Sequence, residues 1–336
     1  MELLGLAAIT ILLTLVFEFV NGFHDSANSI ATVVATKVLS PAKAVIWAAV
    51  FNFLGIFLSL EVAKTIGKGI IEQQVIIDTG PLLLFCAVMG AIVWDLITWW
   101  LAIPTSSSHA LVGGLIGAGV AATFATIGTG AIVWSGTTRT IIFIIVSPLV
   151  GMVAAFILTV LVMRIGRKRN RTVMNRWFRK LQLASSAFYS YAHGSNDAQK
   201  GIGIIAMVLA IEAGTGFQTH YWAMIACGIA ISLGTFFGGW RIVKTMATRL
   251  THLDPYQGFC AETGAALMLF GTARVGIPVS TTHTISGAIM GVGATRRLSA
   301  VRWGVGRRLI IAWILTIPAA ATIGGALFLA LHALGV

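Results

Sequence analysis

Apolar residues along this chain come in long unbroken runs. Residues 3–20, 82–101, 140–163 and 308–331 each come close to or exceed the roughly 20 residues with which an α-helix crosses a bilayer. A transmembrane β-barrel needs short segments of alternating polarity instead, and the chain does not read that way. The pattern predicts an all-α polytopic membrane protein with about 10–12 membrane segments. Residues 1–36 are awkward for this scheme. At about 1.5 Å per residue they are too long for one straight crossing. A break is expected near residues 21–28, where polar residues and Gly22 interrupt the apolar run.

The polar interruptions come in pairs. "IPTSSSH", ending at His109, returns as "IPVSTTH", ending at His283, 174 positions later. "NGFHDSAN" resembles "HGSNDAQK", with Asp25 falling on Asp197 after 172 positions. "LGIFLSLEVAKT" resembles "LGTFFGGWRIVKT", with Lys64 on Lys244. Three correspondences in one order, near half the chain length, indicate a duplication. The expected division is an N-terminal repeat over 1–163, a basic linker over 164–181 and a C-terminal repeat over 182–336. Each repeat should hold a broken first helix, a second span, a helical hairpin with the hydroxyl run at its tip, and a last span.

Charge then orients the halves. Residues 164–180 hold eight Lys/Arg and no acid, which makes this linker cytoplasmic. Residues 241–254 and 296–308 are also basic, whereas 212–220 hold Glu212 and no Lys/Arg. In the first half the signs reverse: Lys37 and Lys43 mark an inner loop, residues 61–80 hold two Lys against three acids, and 122–139 hold only Arg139. Of 23 Lys/Arg, 18 fall in the four regions assigned inside. Corresponding loops thus lie on opposite sides, the pattern of inverted-topology repeats. Both termini should lie outside, in the plasma (inner) membrane of a cell.

Composition agrees and removes one class of partner. The chain is 57% hydrophobic and 10% charged, with a mean hydropathy of +0.91; soluble domains carry roughly 25% charged residues. The net charge of +12 belongs to the cytoplasmic loops facing the bilayer and calls for no nucleic acid. Cys86, Cys227 and Cys260 sit singly in apolar segments, without metal-ligand or disulfide spacing. The chain starts apolar with no basic n-region, so its first segment reads as a retained helix rather than a signal peptide.

Five acids lie inside apolar segments: Glu18, Asp25, Asp95, Asp197 and Glu262. Ionisable groups at membrane depth are costly and mark functional sites by default. Asp25 and Asp197 stand out because the repeat relates them and Asn21, Asn28 and Asn196 accompany them. Asp95 reads more blandly, as a carboxylate satisfied by Trp and Thr neighbours. Pro104 and Pro278 end one helix and permit another to start. Ser106, Ser107 and Ser108, and Ser280, Thr281 and Thr282, then occupy a first helical turn. There backbone N–H groups and hydroxyls donate toward one point, with the helix dipole behind them. One hydroxyl suffices for a cap, so three in a row, twice, point to a donor cage for a small anion. Glycines after each tip suit close helix packing. His109 and His283 follow the hydroxyls, and His24 and His193 flank the Asp motifs; all four admit metal binding or proton relay, with an orienting hydrogen bond the plainer reading. Lys200 replaces Asn28 in the repeat. It either neutralises Asp197, stands in for a bound cation, or supplies charge to the anion.

"GFHDSANSIAT", "IPTSSSHA", "HGSNDAQKGIG" and "IPVSTTHTISGAI" together resemble the Pit-type inorganic phosphate transporters, in order and spacing over nearly the whole chain. The resemblance implies a cation-coupled symporter that imports phosphate by alternating access around a mid-membrane site, assembled as a homodimer. It implies cation coupling at Asp25 and Asp197 with Asn28 and Asn196, and phosphate held by the hydroxyls of both tips with Lys200. Asn21, Glu18, Gln199, Glu262, His109 and His283 are secondary candidates. The second motif carries Gln199 and Lys200 instead of an Asn-type pattern, which favours H⁺ over Na⁺, with Na⁺ still admitted at Asp25 and Asp197. No cofactor and no resident metal are expected. Sulfate or another oxyanion, and a divalent metal–phosphate complex carried with the motif histidines, are the competing cargoes. A serine hydrolase is not: adjacent helical residues such as Ser108 and His109 point about 100° apart and make no nucleophile–base pair.

Overall fold

The computed structural model describes residues 2–127 and 130–335. Among the described residues thirteen α-helices follow one another: α1 (Glu2–Ala35), α2 (Pro41–Gly55), α3 (Glu61–Lys68), α4 (Gln73–Thr79), α5 (Pro81–Trp100), α6 (Ser107–Ala122), α7 (Trp134–Gly166), α8 (Arg171–Ala213), α9 (Tyr221–Phe237), α10 (Trp240–Arg249), α11 (Pro255–Arg274), α12 (Thr281–Ala294) and α13 (Trp303–Ala333). No β-strand occurs among the described residues; one isolated bridge joins Ile71 and Ile132. α1, α5, α6, α7 and α13 are each long and apolar enough to cross a membrane, and α9 with α10 adds a bent sixth. α8 and α11 are as long but carry the polar and charged residues of the interior, including Asp197, Lys200 and Glu262.

Helices of the two halves interlock. α6 packs on α5 and on α13, the last helix of the other half; α12 packs on α11 and, reciprocally, on α7. Glycines make these contacts close. A Cβ at Gly117 would strike the Ala321 carbonyl of α13, and one at Gly291 the Met152 carbonyl of α7. Between helices in lipid, such van der Waals fit replaces the hydrophobic effect as the force of association. α1 packs on α9, and α2 on α8. Outward, α7 presents Ile145, Leu149, Val153 and Phe156, an apolar face suited to lipid.

The inversion is visible in the pairing of the two first helices. Glu18 of α1 meets Gly201 of α8, and Thr36 meets Gln182. As the number rises along α1 it falls along α8, so repeat-equivalent helices run antiparallel.

One expectation is corrected. Neither first helix breaks at its Asp motif: α1 and α8 stay α-helical through residues 21–28 and 193–200. The motif glycines are contact positions, not hinges. A Cβ on Gly22 would strike the Ile231 backbone of α9, and one on Gly194 the Asn52 backbone of α2. The break falls in the second span instead, where α9 and α10 meet at 67°. Gly238 makes that bend with φ 68°, a left-handed conformation that glycine adopts without a Cβ penalty.

Candidate functional site

Four segments converge in the interior: the Asp motifs midway along α1 and α8, and the N-terminal tips of α6 and α12. The tips begin inside the protein, since Pro104, Pro278 and all six hydroxyl residues are buried. Each proline stands just before its helix. Ser106 is the N-cap of α6 and accepts from the His109 N–H at 3.3 Å. Ser280 caps α12 in the same way, accepting from His283 N–H at 3.1 Å. The capping reading therefore holds for the first hydroxyl of each run. The other two lie in the first turn and are spare.

What the spare hydroxyls meet differs between the tips. Thr281 Oγ1 lies 3.3 Å from Asp25 Oδ2 and 3.3 Å from Asp197 Oδ2. Thr282 Oγ1 lies 3.4 Å from Asp25 Oδ1. Asn28 Nδ2 donates to both threonines, at 3.2 and 2.9 Å. In the α6 tip, Ser108 donates to the Val279 carbonyl at 3.2 Å, which ties the two tips together. Ser107 Oγ closes no hydrogen bond. The His109 and His283 rings meet edge to face, 4.8 Å between centroids.

Each carboxylate has an imidazole beside it. His24 Nδ1 is 2.8 Å from Asp25 Oδ1, and its Nε2 is 3.1 Å from Thr98 Oγ1. His193 Nδ1 is 3.2 Å from Asn52 Oδ1, and Nε2 lies 3.2 Å from Asp197 Oδ2 without the alignment of a hydrogen bond. His24 thus bonds its motif acid, whereas His193 touches Asp197 without bonding it. His283 does something else: its ring stacks on Trp313 at 4.0 Å, and neither ring nitrogen closes a hydrogen bond. Lys200 Nζ is 2.6 Å from Asp197 Oδ1, both side chains wholly enclosed. Asp25, His193 and Asp197 offer three ligand atoms within 4.8 Å of one another, a group able to hold a cation.

The structure thus brings Asp25, Asn28, Asp197, Lys200, Ser107, Ser108, Thr281 and Thr282 into one place. Asn21 and Asn196 are buried with amide groups that close no hydrogen bond. Glu18, Glu262 and Gln199 take partners elsewhere. Glu18 accepts from the Gly201 backbone N–H at 2.7 Å. Glu262 is held by Gln182 at 3.0 Å and by Ser185. Gln199 Oε1 accepts from Val62 and Ala63 N–H, at 2.8 and 3.2 Å, capping α3. Asp95 departs from its bland reading. Its Trp and Thr neighbours leave both carboxylate oxygens without a hydrogen bond, and Ser107 is the hydroxyl within its reach. Thr98 and Thr105, which bond one another at 2.9 Å beside His24, were not singled out from the sequence. Thr105 directly precedes the hydroxyl run, and that was the available signal.

A family model described as the phosphate transporter family matches twice, over residues 21–175 and 166–324. A protein of Rhizobium meliloti named "Probable low-affinity inorganic phosphate transporter" is 50% identical over 331 residues, covering 98% of this chain and 96% of that one. A protein of Bacillus subtilis with the same name is 41% identical, covering 98% of each. Among solved structures, one described as "The sodium-dependent phosphate transporter" superposes with a TM-score of 0.86 at 24% identity, covering 98% of this chain and 99% of that one; at that identity the likeness carries the fold. One family model covers both halves, and relatives named as transporters match nearly end to end: this chain belongs to the phosphate transporter family.

Proposed function

We propose that this protein imports inorganic phosphate together with a cation, H⁺ rather than Na⁺, by alternating access of the buried site to the two membrane faces. The observation that carries the reading is the junction of the two tips with two carboxylates: Thr281 reaches both Asp25 and Asp197 at 3.3 Å. Helix N-termini with spare hydroxyls are an anion site. Two carboxylates beside it repel an anion, strongly so in a medium of low dielectric constant. Lys200 offsets one of them. Asp25 has His24 beside it but no lysine or arginine among the described residues, and a cation that arrives with the phosphate would neutralise it, which is the physical content of symport. Protonated phosphate also donates to a carboxylate, as sulfate at neutral pH does not. The inverted repeats supply the alternation, since exchanging the conformations of the halves exchanges the open face. The protein works in the plasma membrane with both termini outside, a reading that the distribution of basic loops supports.

Labelled phosphate uptake into proteoliposomes, under separate Na⁺ and pH gradients, tests this. Uptake should follow the proton gradient and be competed by arsenate more than by sulfate. Indifference to both gradients overturns symport; competition by sulfate without arsenate overturns phosphate. A second reading, carriage of a divalent metal–phosphate complex, is favoured by the ligand atoms of Asp25, His193 and Asp197. It predicts uptake that fails without Mg²⁺ or Mn²⁺.

A further inference from the structure

The two Asp motifs differ chemically at one decisive position. Asn28 and Lys200 are repeat equivalents, each three residues after its aspartate. Asn28 stays neutral and donates to Thr281 and Thr282. Lys200 folds back along its own helix onto Asp197 at 2.6 Å, with no exposure of either side chain. Glu18 brings a second acid to the same turn by bonding the Gly201 N–H. No lysine or arginine stands in the same way on Asp25 among the described residues. Its oxygens meet His24 and the two threonine hydroxyls. An ammonium is a compact point charge with three donors. Tethered at i,i+3 to a buried carboxylate, it does what a bound alkali cation or proton does electrostatically, but it cannot leave.

We propose that Lys200 is a built-in cation occupying the second of two repeat-related cation positions, so that each phosphate travels with one coupling cation fewer than a pair of Asp–Asn sites would require. This rests on the symport reading above and adds its stoichiometry. A purely structural ion pair makes a different prediction: its loss lowers stability and rate but leaves the cation count alone.

The test is the slope of log phosphate accumulation against log cation gradient in proteoliposomes, with the membrane potential clamped at zero and Na⁺ and H⁺ varied separately. Lys200→Asn rebuilds in α8 the set found in α1 and is expected to raise the slope by one. A tenfold gradient then yields about a further tenfold accumulation, because each coupled ion contributes its full chemical potential. Lys200→Arg keeps the fixed charge and is expected to keep the wild-type slope at whatever rate it retains. An unchanged slope in Lys200→Asn overturns the inference, as does a raised slope in Lys200→Arg, which stays decisive if the asparagine variant fails to fold. A wild-type slope of zero overturns the symport reading itself, and the inference with it.

Discussion

The tips of α6 and α12 start alike and end differently. Both follow a proline, both are capped by a serine, and both pack through glycine on the last helix of the opposite half. Beyond the cap the symmetry stops. The α12 tip is latched by Thr281 and Thr282 to both motif aspartates. The α6 tip leaves Ser107 without a hydrogen bond. The backbone repeat provides two equivalent tips; the side chains make one a partner of the carboxylates and leave Ser107 of the other without a hydrogen bond. Duplication supplies the scaffold, and departures from it, Lys200 foremost, supply the direction of the chemistry.

The largest effects should separate the two aspartates. Asp197→Asn strands Lys200 in the interior without its counter-charge, and breaking a buried pair in this way costs about 3–5 kcal/mol. Asp25→Asn leaves no such orphan and keeps an amide oxygen for the contacts with His24, Thr281 and Thr282, so its cost is about 1–1.5 kcal/mol, the loss of charge assistance in those bonds. Both variants should lose gradient-driven phosphate uptake, while thermal unfolding in detergent should fall far more for Asp197→Asn. Equal destabilisation would mean that Lys200 does not depend on Asp197, and the inequality of the motifs would collapse.

Much of this was legible in the sequence because it is periodic or local. The repeat shift of 172–174 positions and the reversal of loop charge predict the inverted halves seen in α1 and α8, and the proline–hydroxyl runs predict the helix starts of α6 and α12. The break was misplaced because a glycine in a helix has two readings. Gly22 reads as a point of flexibility, but it and its counterpart Gly194 admit the backbones of Ile231 and Asn52, partners far away in sequence. Gly238 and Gly239 side by side in "FFGGW" were the better signal, since paired glycines punctuate a helix more strongly than one. Asp95 was underrated for a related reason. Its Trp and Thr neighbours in the chain look like donors, but Thr98 turns its hydroxyl to the backbone carbonyls of Trp94 and Asp95. Side-chain direction of that kind is set by packing, not by adjacency.

Next in size is the contrast between Ser107 and Thr281. A hydrogen bond to a charged group is worth about 1.5–3 kcal/mol, so Ser107→Ala should weaken phosphate affinity by roughly 10-fold or more. It should do so with little change in thermal stability, because Ser107 gives up no protein hydrogen bond. Thr281→Ala should lower both quantities, since its hydroxyl contacts two carboxylates and Asn28. Calorimetric phosphate titration beside a melting curve reads both. A Ser107→Ala variant with normal affinity would remove the anion from the α6 tip.

A third contrast lies one helical position beyond Lys200. Gly201 and Ser29 are repeat equivalents, but a Cβ on Gly201 would collide with the Glu18 carboxylate. Gly201→Ala should therefore cost about 1–3 kcal/mol, the usual range for overpacking. Ser29→Ala should cost a few tenths, because its hydroxyl closes no hydrogen bond. Comparison of the two melting temperatures decides whether Glu18 is as rigidly seated as its bond to the Gly201 N–H indicates.

The smallest effect is the one that must be equal on both sides. Ser106 and Ser280 accept the same capping bond from the residue three positions on, at 3.3 and 3.1 Å. Loss of a serine cap costs about 1 kcal/mol. Ser106→Ala and Ser280→Ala should thus lower thermal stability alike, and each should disturb phosphate affinity less than Ser107→Ala does. Equality here matters because it isolates where the asymmetry resides. If the caps proved unequal, the difference between the two tips would already lie in their backbone, and the threonine latch would be its consequence. If they prove equal, the tips are interchangeable up to the cap, and the side chains that follow carry the whole difference.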